Sequence, residues 1–316
     1  MSKKTTDSLL TALLSSAIFY LVLRSGLDFV FMFLSTLPLF LAGPSKSPEV
    51  SLKAGILATI FIALLTNSFF VSLLFLLVFA LPSWYICRMS THHYDIKINQ
   101  SLPTLRLWYP IGVITINLAI YGSVLLAIIT AIFATQDTNL PQQLSQIIQN
   151  EIENISKNYK IDIHLVAQDV SFMLCGFLVW LWCIMLLAHA WIASSTLIRM
   201  NMTKRPNIVI TPFPMPHWLL TLMAIWALAS LIGGESMRFL GKASLIILLL
   251  PYFFQGAAML HNNVRNWRNR RFLLFFIYIF TVVLWWPAMI MAGAGVWHHI
   301  KILNKHLSSG GNSSKS

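Results

Sequence analysis

Two stretches decide the fold: Leu245-Ile246-Ile247-Leu248-Leu249-Leu250 and Phe272-Leu273-Leu274-Phe275-Phe276-Ile277-Tyr278-Ile279-Phe280. Neither alternates apolar with polar residues, as the strand of a membrane barrel must. In hydrocarbon every backbone N–H and C=O has to be bonded internally, which leaves only helix bundles and closed barrels. The unbroken apolar runs select helices.

Composition points the same way. Apolar residues make up 57% of the chain and charged residues only 10%, with a mean hydropathy of +0.72. A soluble domain carries roughly 25% charged residues, so this chain cannot clothe a water-facing surface. Crossing about 30 Å of hydrocarbon takes roughly 20 helical residues. Blocks suited to that task fall at 9–23, 28–43, 51–66, 68–87, 108–134, 170–195, 217–233, 242–261 and 272–297. The run from Ser51 to Cys87 exceeds one crossing and turns at Thr66-Asn67-Ser68. Nine spans result, or eight if two of the short ones form a re-entrant element. The expected fold is therefore all-α: a polytopic, multi-pass transmembrane bundle of 8–9 spans. Lys3 and Lys4 before an apolar stretch resemble a signal peptide. The stretch Arg24-Ser25-Gly26-Leu27-Asp28 makes a poor small-residue cleavage site and further spans follow at once, so this is read as the first span.

The organisation reads as 1–134, N-terminal transmembrane region; 135–169, extracytoplasmic loop; 170–300, C-terminal transmembrane helices; and 301–316, a disordered tail ending in Ser, Gly and Asn. Basic loop residues set orientation. Arg88, Lys97 and Arg106, then Arg199, Lys204 and Arg205, then Arg265, Arg268, Arg270 and Arg271 place three loops in the cytoplasm. Loop 135–169 carries Asp137, Glu151, Glu153, Asp162 and Asp169 against Lys157 and Lys160, and lies outside. Within it Leu144, Ile147, Ile148, Ile152 and Ile155 recur at helical spacing, the pattern of an amphipathic helix on the membrane. Nine spans would also put the basic tail with Lys301, Lys305 and Lys315 outside. A re-entrant span would move it to the other side.

The net charge of +12 comes from 22 Lys and Arg against 10 Asp and Glu. It is accounted for by these loops, not by nucleic-acid binding. Cys87, Cys175 and Cys183 lie in or beside apolar blocks with no C-x-x-C, so neither a disulfide nor a metal site is expected. No G-x-S-x-G, P-loop or nucleophile–base pattern is present, and no enzyme or cofactor is read from the chain. The adjacent pairs His92-His93 and His298-His299 lack the i, i+4 spacing of a shared helical face and read as interfacial loop decoration. Trp108-Tyr109-Pro110, Pro216-His217-Trp218 and Trp285-Trp286-Pro287 read as interfacial helix ends.

Polar groups within spans are costly and mark candidate sites. They are Asn117 and Tyr121, one turn apart, His189, and Gln255, which follows the helix-loosening Pro251 by one turn. Tyr109 stands at the entrance of the same span as Asn117. A ligand pocket would gather Tyr109, Asn117 and Gln255. The alternative for each is a hydrogen bond to a neighbouring helix. Small residues such as Ala12 and Ser16 offer a face for a partner membrane subunit or for packing within the chain.

Leu37-Pro38-Leu39-Phe40-Leu41-Ala42-Gly43, Leu81-Pro82-Ser83-Trp84, Trp108-Tyr109-Pro110-Ile111-Gly112, Pro251-Tyr252-Phe253-Phe254-Gln255-Gly256 and the Gly293–Trp297 helix end follow in order. This order resembles the YybS-like family of bacterial inner-membrane proteins, a family of unknown function grouped with the substrate-binding S components of energy-coupling-factor transporters. The resemblance implies a small-molecule-binding bundle that works with other transport subunits. S components usually have about six helices, fewer than are read here. A membrane scaffold or assembly factor without ligand is the alternative.

Overall fold

The computed structural model describes residues 3–27, 29–96, 105–135, 139–155, 163–203, 205, 212–284 and 286–310. Lys97, Asp137, Lys157, Lys160, Asp162, Lys204, Lys315 and the side chains of Ile152, Glu153 and Ile155 lie outside the described residues. The described elements, in order, are α1 (Lys3–Ser25), α2 (Phe29–Ser45), α3 (Pro48–Thr66), α4 (Phe69–Thr91), β1 (His93–Ile96), β2 (Leu105–Trp108), α5 (Ile111–Thr135), α6 (Leu140–Ile155), α7 (Ile163–Arg199), α8 (Trp218–Ile232), α9 (Glu235–Asn263), α10 (Arg270–Val283) and α11 (Trp286–Gly310). Six of the helices are long and apolar enough to cross a membrane: α1, α3, α4, α5, α7 and α9. The bent pair α10 and α11 makes up to seven, and α2 and α8 are apolar but shorter. The nine blocks read from sequence each carry helix, but α2 and α8 are too short to count by length alone.

The chain divides into two compact units. One comprises Met1–Ile114 and Trp182–Ile208, the other Thr115–Leu181 and Val209–Ser316. Helices α5 and α7 each contribute to both.

In the first unit, α1 packs along α3, and α2 lies against both. Phe19, Phe33, Phe75 and Phe79 interlock edge-on at its centre, with centroids 5.0–5.7 Å apart in the Phe19–Phe75, Phe19–Phe79 and Phe33–Phe79 pairs. Helix α4 contains one π-turn, Leu76–Ala80. A π-turn disrupts the regular ladder, and the indole of Trp182 donates to the Val78 carbonyl there, 2.9 Å away. Asn67 adopts the left-handed conformation (φ 49°) that ends α3, so the turn read at Thr66-Asn67-Ser68 has its chemical cause in an Asn C-cap. Ala12 and Ser16, read as a docking face, are 0% and 2% exposed. Both side chains are buried within the chain's own packing.

In the second unit, α8 and α9 form a hairpin and α11 lies along α9. A Cβ on Gly256 would strike the Met291 carbonyl, and one on Gly295 the Tyr252 carbonyl. The two helices therefore touch backbone to backbone, as small residues permit. The positions rise on α9 as they fall on α11, so the pair is antiparallel. Pro251 leaves the Ile247 carbonyl without its helical donor. Beside it the Trp180 indole donates to the Ile246 carbonyl, 2.6 Å away. The single span expected over 272–297 is broken between α10 and α11 by a 112° bend, because Pro287 begins a new helix at its second position. Helix α11 also runs to Gly310, beyond the start of the tail expected at 301.

Candidate functional site

A buried polar cluster of the second unit forms where three segments meet on α9. The apolar part of α9 lies between Lys242 and His261, so Tyr252 and Gln255 sit near its middle. There the chain approaches without helix: Pro212-Phe213-Pro214-Met215-Pro216 has no regular structure. Prolines at alternate positions remove N–H donors and disfavour helix in the residues before them. The Phe213 N–H donates to Oε1 of Gln255, 3.0 Å away, and Gln255 is 1% exposed. Helix α8 starts immediately after, at Trp218.

The third segment is α11. Its close approach at Gly295 brings His299 onto Tyr252, whose hydroxyl shares a 3.0 Å hydrogen bond with Nδ1 of His299. Tyr252 is 0% and His299 2% exposed. The His217 ring stacks on His299 with centroids 5.6 Å apart, and His217 itself is exposed. In either tautomer Nδ1 is used, and Nε2 of His299 has no hydrogen-bond partner among the described residues. A buried polar atom left unpaired costs about 1–3 kcal/mol. The same ring adjoins a hydroxyl and a second imidazole, groups that can both donate and accept. Such a set can bind a polar molecule through hydrogen bonds while the surrounding Leu, Ile and Phe exclude water.

The residues singled out from sequence are distributed differently. Gln255 belongs to the cluster, with its acceptor atom committed to backbone. Asn117 and Tyr121 are half-buried one turn apart on α5, in the same unit. Tyr109 belongs to the other unit, where its N–H donates to the His92 carbonyl (3.1 Å) and its own carbonyl accepts from Arg205 (3.2 Å). His189, in that unit too, donates from Nδ1 to the Met185 carbonyl, 2.7 Å, and stacks on Phe33. Sequence reading missed Tyr252 and His217, and took His299 for interfacial decoration. Adjacency of His298 and His299 hid the contact that His299 makes with α9.

Elsewhere, Arg205 donates to the carbonyls of Ser90 and Tyr109, 2.8 and 3.2 Å, closing the base of the β1–β2 hairpin. Burial lowers the Arg205 pKa from its ordinary value. Arg106 on β2 binds Asp95 on β1 at 3.0 Å and holds its carboxyl below the usual range. At the Glu235 end of α9, a cleft of about 320 Å³ is lined by Asp169, Ser171, Phe172, Glu235, Arg238 and Lys242, among others. Lys242 is paired there with Asp169 at 3.1 Å, and Glu235 accepts from Asn139 and Gln142. None of the sequence-selected residues lines it. Among the described residues no three His, Cys, Asp or Glu side chains gather as metal ligands.

Apolar helices in this number, with a buried polar cluster on one of them, define a multi-pass helical membrane protein. Within that class the chain belongs to the family described as predicted membrane protein (DUF2232), whose model matches residues 9–297. That membership agrees with the YybS-like order of motifs. No curated protein and no solved structure matches the chain.

Proposed function

We propose that the protein is a small-molecule-binding module of membrane transport in the bacterial inner membrane, without catalytic chemistry of its own. Its ligand binds at Tyr252, His299 and His217. One observation carries this reading: Nε2 of His299 is buried without a partner among the described residues, close to where non-helical backbone meets α9. At membrane depth irregular backbone is tolerated only where it is buried in protein or lines a cavity. Discontinuous helices that start near the bilayer midplane build the substrate sites of many transporters. Here α8 is the short helix and Pro212–Pro216 is its lead-in.

In this reading α1 to α5, α7, α8, α9 and α11 supply nine crossings. The basic loops are cytoplasmic, and α6 lies on the outer membrane surface. Coupling to ATP would come from partner subunits, as in S-component systems. Native mass spectrometry of gently purified full-length protein tests the proposal. The expected result is a retained small molecule that is lost in His299→Phe. A retained protein partner with no small molecule would favour a scaffold or assembly factor instead.

A further inference from the structure

Helix α11 runs antiparallel along α9, as the facing pairs Gly256–Met291 and Gly295–Tyr252 require. Helix α9 is long and apolar enough to cross the membrane, so α11 shares its direction. Helix α10 is turned 112° from α11 and so lies closer to the membrane plane than to its normal. With 14 residues it is about 21 Å long, short of the roughly 30 Å that a crossing needs. A hydrogen bond of 2.8 Å between Tyr278 and His261 holds it at the Asn263 end of α9.

No residue of α10 is buried. Phe272, Phe275, Phe276, Ile279 and Phe280 are all exposed on one side. The turn that leads into the helix carries Arg265 and Arg268, and the helix itself opens on Arg270 and Arg271; all four are exposed. Arg270 donates to the Arg265 carbonyl, 3.1 Å away, which folds this basic turn on itself. No acidic residue occurs between His261 and Trp285, and none of the four arginines is ion-paired among the described residues. Four like charges held together favour an anionic partner. Guanidinium groups match phosphate oxygens two at a time. An apolar helix face continuous with a basic cluster suits a molecule that joins acyl chains to a phosphate.

We propose that α10 lies in the cytoplasmic membrane interface and, with Arg265, Arg268, Arg270 and Arg271, forms a binding site for an anionic phospholipid. The acyl chains lie along the phenylalanine face and the headgroup phosphate lies among the guanidiniums. The cytoplasmic leaflet is the one whose negative surface attracts such clusters.

Native mass spectrometry of the full-length protein, equilibrated with mixed phosphatidylglycerol and phosphatidylcholine, tests this directly. Wild type should retain phosphatidylglycerol preferentially. Replacing all four arginines by Gln should cut that preference at least tenfold, given about fivefold per basic residue at an anionic surface. Replacement by Lys should keep most of it. Should the Gln variant fail to insert, Arg268→Gln and Arg270→Gln alone should each give the smaller loss. Inorganic phosphate should not displace the lipid; displacement would make the site one for free phosphate. Nitroxides on Phe272→Cys, Phe275→Cys, Ile279→Cys and Val283→Cys should all report similar shallow depth. A steady increase in depth along that series, or an unchanged lipid preference in the Gln variants, would overturn the proposal.

Discussion

The side chain of Gln255 accepts the backbone N–H of Phe213, 42 residues earlier in the chain, at 3.0 Å. A glutamine in the apolar middle of a helix thus replaces the helical partner that the proline-rich segment cannot have. Gln255→Leu would orphan the Phe213 N–H in a buried setting. The expected cost lies between about 0.6 kcal/mol, the mean for polar contacts in membrane proteins, and about 3 kcal/mol, the upper cost of an unmet buried group. The thermal midpoint of ligand-free protein should fall, and with Gln255→Glu, which keeps an acceptor oxygen for the Phe213 N–H, it should fall less. An unchanged midpoint for Gln255→Leu would show that the segment is not held by this bond.

Gly256 and Gly293 make a matched pair. Alanine gains about 1 kcal/mol over glycine in a helix interior. At Gly293 a Cβ meets nothing within 4 Å, so Gly293→Ala should raise the thermal midpoint or leave it unchanged. At Gly256 the new methyl strikes the Met291 carbonyl, which is backbone and cannot rotate away. Separating α9 from α11 costs about 1–3 kcal/mol as overpacking and outweighs the propensity gain. Midpoints measured in one detergent check both. Equal behaviour of the two variants would mean that α9 and α11 do not touch at Gly256.

Which parts of this were legible in sequence follows from the range of each signal. Apolar runs mark helices because the signal is local and each residue adds to it. The break between α10 and α11 was hidden for the same reason: residues on both sides are apolar, and only Trp285-Trp286-Pro287, itself a helix-end pattern, interrupts the expected span. Gln255 stood out as a polar residue among apolar ones. Its partner is a backbone N–H, which has no signature in sequence. The His299–Tyr252 pair depends on the close approach at Gly295, and spacing rules for histidine ligands see only neighbours on the same helix.

The β1–β2 hairpin should be cytoplasmic, because its flanks carry Arg88, Arg106 and Arg205. Tyr94 is exposed on β1, and Tyr94→Cys in a Cys-free background reports its side. An impermeant thiol reagent should label it in inverted vesicles and not in intact cells. The hairpin base rests on Arg205, so Arg205→Ala should free the two carbonyls of Ser90 and Tyr109. Hydrogen bonds from a charged donor contribute about 1.5–3 kcal/mol, and amide exchange at Tyr109 should quicken accordingly. Labelling of Tyr94→Cys from outside intact cells would reverse the orientation of the whole chain.

The Tyr252–His299 pair separates a ligand site from a structural contact. If the hydrogen bond only joins α9 to α11, cutting it from either end removes the same interaction. Tyr252→Phe and His299→Phe would then each lower the ligand-free midpoint, and the double variant would be no worse than the poorer single. If Nε2 of His299 meets a ligand, the two ends differ. Tyr252→Phe keeps Nε2 in place and should weaken retention only in part. His299→Phe removes the contact and should abolish it, while in the ligand-free protein the loss of a buried unpaired nitrogen offsets part of the cost of the Tyr252 hydroxyl that it orphans. His299→Gln, which restores an amide near the same position, should recover part of the binding. Retention of the small molecule by native mass spectrometry and the thermal midpoint of ligand-free protein are read side by side for all four variants. Wild-type retention by His299→Phe would remove this cluster from the binding site and leave the Tyr252–His299 bond as a clasp between helices.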